Sequence, residues 1–172
     1  MKPETISQLI FFTTISFAFV SWGMFASRSV WPKLCRKPRI DALRPLLILH
    51  SFRFIGLTFL VPGVVSPDLP TAFSKAAGYG DFIAAVLALA ALFLLPRKAG
   101  LATVWLFNLW GAADLLFAFF EGNQFGLKAG QLEAMYFIPT FFVPLALITH
   151  GMIFRILLER PHEPATQVHA VS

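Results

Sequence analysis

The sequence predicts an all-α integral membrane protein, a bundle of five transmembrane helices with the N-terminus outside and the C-terminus in the cytoplasm. Three observations lead there. Of 172 residues, 57% are hydrophobic and only 13% charged, whereas a soluble domain is typically about a quarter charged and under half apolar. The apolar residues fall into five runs, each near the roughly 20 residues that a helix needs to cross a hydrocarbon layer of ~30 Å. The basic residues gather in alternate loops, as topology determinants do. Mean hydropathy is +0.71.

The first span is placed at 6–26. "GMFASR" is a poor small-residue cleavage site, and cleavage would carry the most basic loop across the membrane, so the segment is read as a retained helix rather than a signal peptide. The loop that follows holds Arg28, Lys33, Arg36, Lys37, Arg39 and Arg44. It also holds the one cysteine, Cys35, expected as a free thiol. The second span, 43–65, ends in a turn punctuated by Pro62, Pro67 and Pro70. The third, 78–95, is alanine-rich, which suits close helix packing. Asp81 in "GYGD" reads as a structural acid at the outer start of this span, favoured by the helix dipole, with a cation site as the alternative. Arg97 and Lys98 mark the next loop. The fourth span runs over 101–120, followed by "EGNQFGLKAGQLEAMY", whose end is suited to lie along the membrane surface. The fifth, 137–158, contains Pro139 and Pro144. Pro144 removes a backbone bond to the Thr140 carbonyl and predicts a kink. Residues 1–158 thus form a single bundle, and the polar tail 159–172 is expected to be disordered.

Alternate loops are basic, so the positive-inside rule sets the orientation, and an odd number of spans agrees with it. A bacterial cytoplasmic (inner) membrane is the expected location. The net charge of +5 is assigned to topology rather than to nucleic acid. Trp22, Trp31, Trp105 and Trp110 read as a mixture of interface anchors and packing residues.

Two charges fall well inside spans, Arg53 and Asp114. Charges at that depth face the bundle interior or a cavity. Arg53 lies about 15 Å and Asp114 about 20 Å from the cytoplasmic ends of their helices at 1.5 Å per residue. An arginine can reach across that difference, which predicts an ion pair joining spans two and four. His50, His150 and Asn108 lie at a similar level on three helices. His50 and Arg53 share a face at i and i+3. Asn108, Gly111 and Asp114 share another, with glycine permitting close approach. Tyr136, Pro139, Val143 and His150 follow helical spacing on span five.

Four readings compete for this layer. It is an interhelical packing network, a pocket for a lipid headgroup, quinone or other small amphiphile, a bis-histidine haem b site on His50 and His150, or a proton or substrate relay in a small transporter. A ligand site would lie between spans two, four and five, lined by His50, Arg53, Asn108, Asp114 and His150. Tyr136 and Asp81 would rim its outer mouth, and Gly111 and the Pro144 kink would give it volume. Membrane lipids and a small amphiphilic ligand are the expected partners. Zinc is disfavoured, since no third or fourth ligand stands at that level. No phosphate loop, Cys-x-x-Cys, HExxH or nucleophile elbow appears, so the sequence does not point to an enzyme. No lysine lies deep in a span, which excludes a retinal Schiff base.

Overall fold

A computed structural model describes residues 2–159. Five helices are long and apolar enough to cross a membrane: α1 (Pro3–Leu34), α2 (Arg39–Leu60), α3 (Thr71–Leu94), α4 (Gly100–Gln124) and α5 (Ile138–Leu158). No strand occurs among the described residues. Of the tail expected at 159–172, residues 160–172 lie outside them. The upper end of the bundle is defined here as the end carrying the α2–α3 and α4–α5 connections, and the lower end as the opposite one.

Two helices widen locally and one tightens. In α1 a π turn spans Ala26–Val30, and the Trp31 N–H bonds back to the Ala26 carbonyl. In α5 a π turn spans Ile138–Phe142, and the Val143 N–H bonds to the Ile138 carbonyl. A proline follows each turn, Pro32 in one and Pro144 in the other. Proline has no N–H, and its ring crowds the carbonyl four residues back. Stepping to the i−5 carbonyl just before it relieves that crowding. The interruption expected at Pro144 therefore takes the form of a π turn. Within that turn the Phe141 carbonyl accepts a hydrogen bond from Trp22 Nε1 at 3.2 Å, which ties α1 to α5.

α2 changes in the opposite sense. It is α-helical over Arg39–Ser51 and becomes a 3-10 helix over Phe52–Leu60. Residues three apart eclipse one another in a 3-10 helix. The buried residues of this stretch, Arg53, Gly56 and Phe59, follow that spacing. The winding thus carries the arginine, a glycine and an aromatic ring down one inward face.

α3 begins at Thr71, earlier than the hydropathy suggests, and buries Ala77, Asp81, Ala84, Ala88 and Ala91 along its length. Small side chains at that spacing let α2 and α4 both approach closely. Asp81 is therefore about three turns inside the helix. The reading of Asp81 as an acid at the helix start is corrected: the apolar run seemed to begin late only because "TAFSKAAGYG" is small and polar.

The interior is layered. A lower apolar cluster includes Leu43, Leu47, Ala88, Leu95, Val104, Phe107 and Ile153. An upper one includes Phe11, Ile15, Phe59, Phe73, Leu115, Leu132, Ile138 and Val143. The buried polar residues His50, Arg53, Asp81, Asn108 and His150 lie between them in sequence on α2, α3, α4 and α5. Phe17, Val20, Ile55, Leu89, Leu109 and Leu116 are among the large apolar side chains left exposed, a surface that suits hydrocarbon rather than water. At the upper end a 3-10 segment, Ala129–Tyr136, is fastened on two sides. Gln131 accepts from the Ser66 N–H at 3.1 Å through its carbonyl and donates through Nε2 to the Asp68 carbonyl at 2.9 Å. Gln8 of α1 accepts from the Ala129 N–H at 3.3 Å.

Candidate functional site

Arg53 is the hub. Its side chain is fully buried and meets two carboxylates, on different helices. Nε donates to Asp81 Oδ1 at 2.7 Å, and Nη2 lies 2.7 Å from the same oxygen. Nη2 also donates to Asp114 Oδ2 at 2.6 Å. Nη1 donates to the Gly111 carbonyl at 3.0 Å and approaches His150 Nε2 at 3.3 Å. A guanidinium offers five N–H donors in a rigid fork and no acceptor. The 3-10 turn delivers that fork into the gap between α3 and α4.

The fork fixes the histidine next to it. Arginine can only donate, so His150 Nε2 is the acceptor and the ring carries its proton on Nδ1. Nδ1 then donates to Asn108 Oδ1 at 2.7 Å. With its oxygen so used, Asn108 donates through Nδ2 to the His150 carbonyl at 3.3 Å. His50 stacks on His150, with centroids 4.1 Å apart, and its Nε2 meets Thr149 Oγ1 at 3.0 Å. The Thr149 hydroxyl also reaches the Leu145 carbonyl at 2.9 Å. With the hydroxyl proton given there, His50 donates from Nε2, and Nδ1 is left as a buried atom without a partner.

Three glycines make room for these groups. A Cβ on Gly111 would come within 2.6 Å of His150 Cε1 and 2.8 Å of Arg53 Nη1. A Cβ on Gly56 of α2 would strike the Asp81 carboxylate, and one on Gly80 of α3 would strike that of Asp114. Each of α2, α3 and α4 therefore gives up a side chain where a neighbouring helix inserts a charged or aromatic group.

The sequence expectations sort accordingly. Arg53, Asp114, Asn108 and His150 come together in one hydrogen-bonded group, and His50 stacks on it. Asp81 joins as a direct partner of Arg53 rather than as a rim residue, so α3 supplies one of the deep polar groups. Tyr136 stands apart: its ring packs on Phe11 at 5.7 Å, and its hydroxyl has no hydrogen-bond partner among the described residues. Bis-histidine ligation of haem b does not fit. A planar macrocycle must lie between its axial ligands, but His50 and His150 are in ring contact, and Arg53 and Thr149 hold their Nε2 atoms.

A cavity also adjoins the cluster on a side other than the one expected between α2, α4 and α5. This cavity, of about 60 Å³, is bounded by α3, α4 and α5 together with Phe59 of α2, and its wall includes Asp81, Asp114, Leu115, Pro139 and Val143. It shares Phe73, Ala118, Phe119 and Pro139 with a groove of about 680 Å³ that extends to Glu4, Gln8, Asn123 and Lys128 at the upper end. The groove at the upper end and the cavity beside the two carboxylates that hold Arg53 thus share one largely apolar wall.

Fold and site together define a five-helix bundle of membrane-spanning proportions, built around a buried arginine held by two aspartates. The chain belongs to the family described as Domain of unknown function (DUF8737), whose model matches residues 10–158, a stretch that takes in the whole cluster. No curated protein and no solved structure matches the chain.

Proposed function

We propose that this is a multi-pass protein of the cytoplasmic membrane, N-terminus outside and C-terminus inside, that binds a small amphiphile in the groove leading to Asp81 and Asp114. The observation that carries this reading is an apolar groove of about 680 Å³ that shares four wall residues with a small cavity lined by both carboxylates. Small-molecule sites are commonly concave, largely apolar and supplied with a few convergent polar groups, with volumes of roughly 300–1,000 Å³. The groove offers Phe11, Phe12, Phe73 and Phe119 as walls. Binding is favoured over conduction, because the polar layer is backed on its lower side by Leu43, Leu47, Val104, Phe107 and Ile153, all fully buried.

The orientation is supported by charge. Arg28, Lys33, Arg36, Lys37, Arg39, Arg44, Arg97 and Lys98 lie on or beside the lower connections, where the positive-inside rule places the cytoplasm. The exposed Cys35 sits among them. In intact cells Cys35 should resist a membrane-impermeant maleimide and react once the membrane is permeabilised. Labelling in intact cells would reverse the topology.

Ala118 lines both the cavity and the groove, so Ala118→Phe should fill the junction between them. Native mass spectrometry of wild-type protein released from membranes should show a co-purified amphiphile of defined mass. The folded Ala118→Phe variant should lose it. Identical adducts on both proteins, or none on the wild type, would refute the binding site.

A further inference from the structure

The carboxylates at the end of the groove are more numerous than the arginine needs. Arg53 is one positive charge between two acids. It takes Oδ1 of Asp81 and Oδ2 of Asp114. The second oxygen of each acid accepts no hydrogen bond from any described residue. Asp81 is only 8% exposed, and it lines the cavity with that oxygen unpartnered. Neither of these oxygens is fully enclosed, and an excess of acids over cations in apolar surroundings is costly. The cavity wall beside the acids is aromatic and apolar, with Phe59, Phe73 and Phe119. Phenyl faces attract cations and offer nothing to an anion.

We propose that the cavity takes the ammonium head of an alkylammonium amphiphile, whose chain lies along the groove. The inference rests on the amphiphile-binding reading above and names the ligand's charge. An ammonium donates three hydrogen bonds and carries a compact positive charge. It can therefore bond the free oxygens of Asp81 and Asp114 while balancing the charge that Arg53 leaves over. A carboxylate or sulfate head would meet two acids at the end of an apolar channel. A hydroxyl head could make one of the hydrogen bonds but would leave the charge unbalanced. The upper opening, flanked by Glu4 and Lys128, gives the chain its way out along the bundle.

Three probes with one tail separate these possibilities: dodecylamine, dodecanol and dodecanoate, each added at neutral pH to the full-length protein in an uncharged maltoside detergent. One-to-one complexes are read by native mass spectrometry, and the unfolding midpoint is read in parallel. Dodecylamine should bind at least about tenfold more tightly than dodecanol, as a hydrogen bond to a charged group provides, and dodecanoate should bind least. Asp114→Asn leaves Arg53 paired one-to-one with Asp81 and should stay folded, yet it should remove the preference of the amine over the alcohol. Ala118→Phe should block all the probes. If the three heads bind equally and Ala118→Phe blocks them, the groove reading stands and the cation inference falls. A preference for dodecanoate, or an undiminished amine preference in Asp114→Asn, overturns the inference as well. If no probe binds, the groove reading itself is lost.

Discussion

Arg53→Leu should be the most damaging single substitution in the protein. It removes the only positive charge that faces Asp81 and Asp114 among the described residues and strands both carboxylates in an apolar interior. Breaking a buried pair from one side typically costs about 3–5 kcal/mol, and here two acids lose their partner at once. The Gly111 carbonyl and His150 Nε2 lose a donor as well. The expected result in detergent is a large fall in the unfolding midpoint, or failure to recover folded protein. Arg53→Lys should rescue only part of the loss. An ammonium can meet one acid well, but it cannot span oxygens on α3 and α4 with a planar fork.

Gly111→Ala should be the second large effect, from a single added methyl group. Its Cβ would stand 2.6 Å from His150 Cε1 and 2.8 Å from Arg53 Nη1. Neither neighbour is a free chain end: Asn108 holds the imidazole, and the two carboxylates hold the guanidinium. Overpacking a tight core usually costs about 1–3 kcal/mol, and displacing a buried ionic network adds to that. Gly151→Ala is the matched control, because a Cβ there meets nothing within 4 Å. In a helix that change should be neutral or stabilising by up to about 1 kcal/mol. Thermal unfolding of the two variants in the same detergent reads the contrast directly. Equal behaviour would mean that α4 does not approach α2 and α5 at Gly111 as described.

Much of this cluster could be read from the sequence, for identifiable reasons. Arg53, Asp114 and the two histidines stood out because polar groups in long apolar runs must find partners, and a common helical rise put them at similar levels. Asp81 was misplaced because Ser74, Lys75, Gly78 and Gly80 lower the hydropathy of the first half of α3 and hide its true start. A usable signal was nonetheless present: Ala77, Asp81, Ala84, Ala88 and Ala91 follow one helical stripe, and the acid occupies a place in it. The π turns could not be read from the prolines alone, since Pro45 sits inside the α-helical part of α2 without one. The 3-10 winding of Phe52–Leu60 was not legible either. Its residues have no strong preference between the two helical forms, and the choice depends on which buried face the neighbouring helices demand. The cavity beside Asp81 and Asp114 was not legible for a related reason. Side chains that satisfy one another close the space between them, and the cavity described here lies beside Asp81 and Asp114 among α3, α4 and α5.

The central claim is that Arg53, Asp81 and Asp114 form one mutually compensating unit across three helices. The most direct test is to compare the stability of the triple variant Arg53→Leu, Asp81→Asn, Asp114→Asn with that of Arg53→Leu alone in the same detergent. Removing all three charges together leaves no charge stranded, and replacing a whole buried ionic group is often close to neutral. The triple variant should therefore recover most of the stability lost by Arg53→Leu, ending within about 2 kcal/mol of wild type, a strongly non-additive result of the kind expected of groups in contact. A triple variant as unstable as Arg53→Leu, or less stable still, would contradict the account.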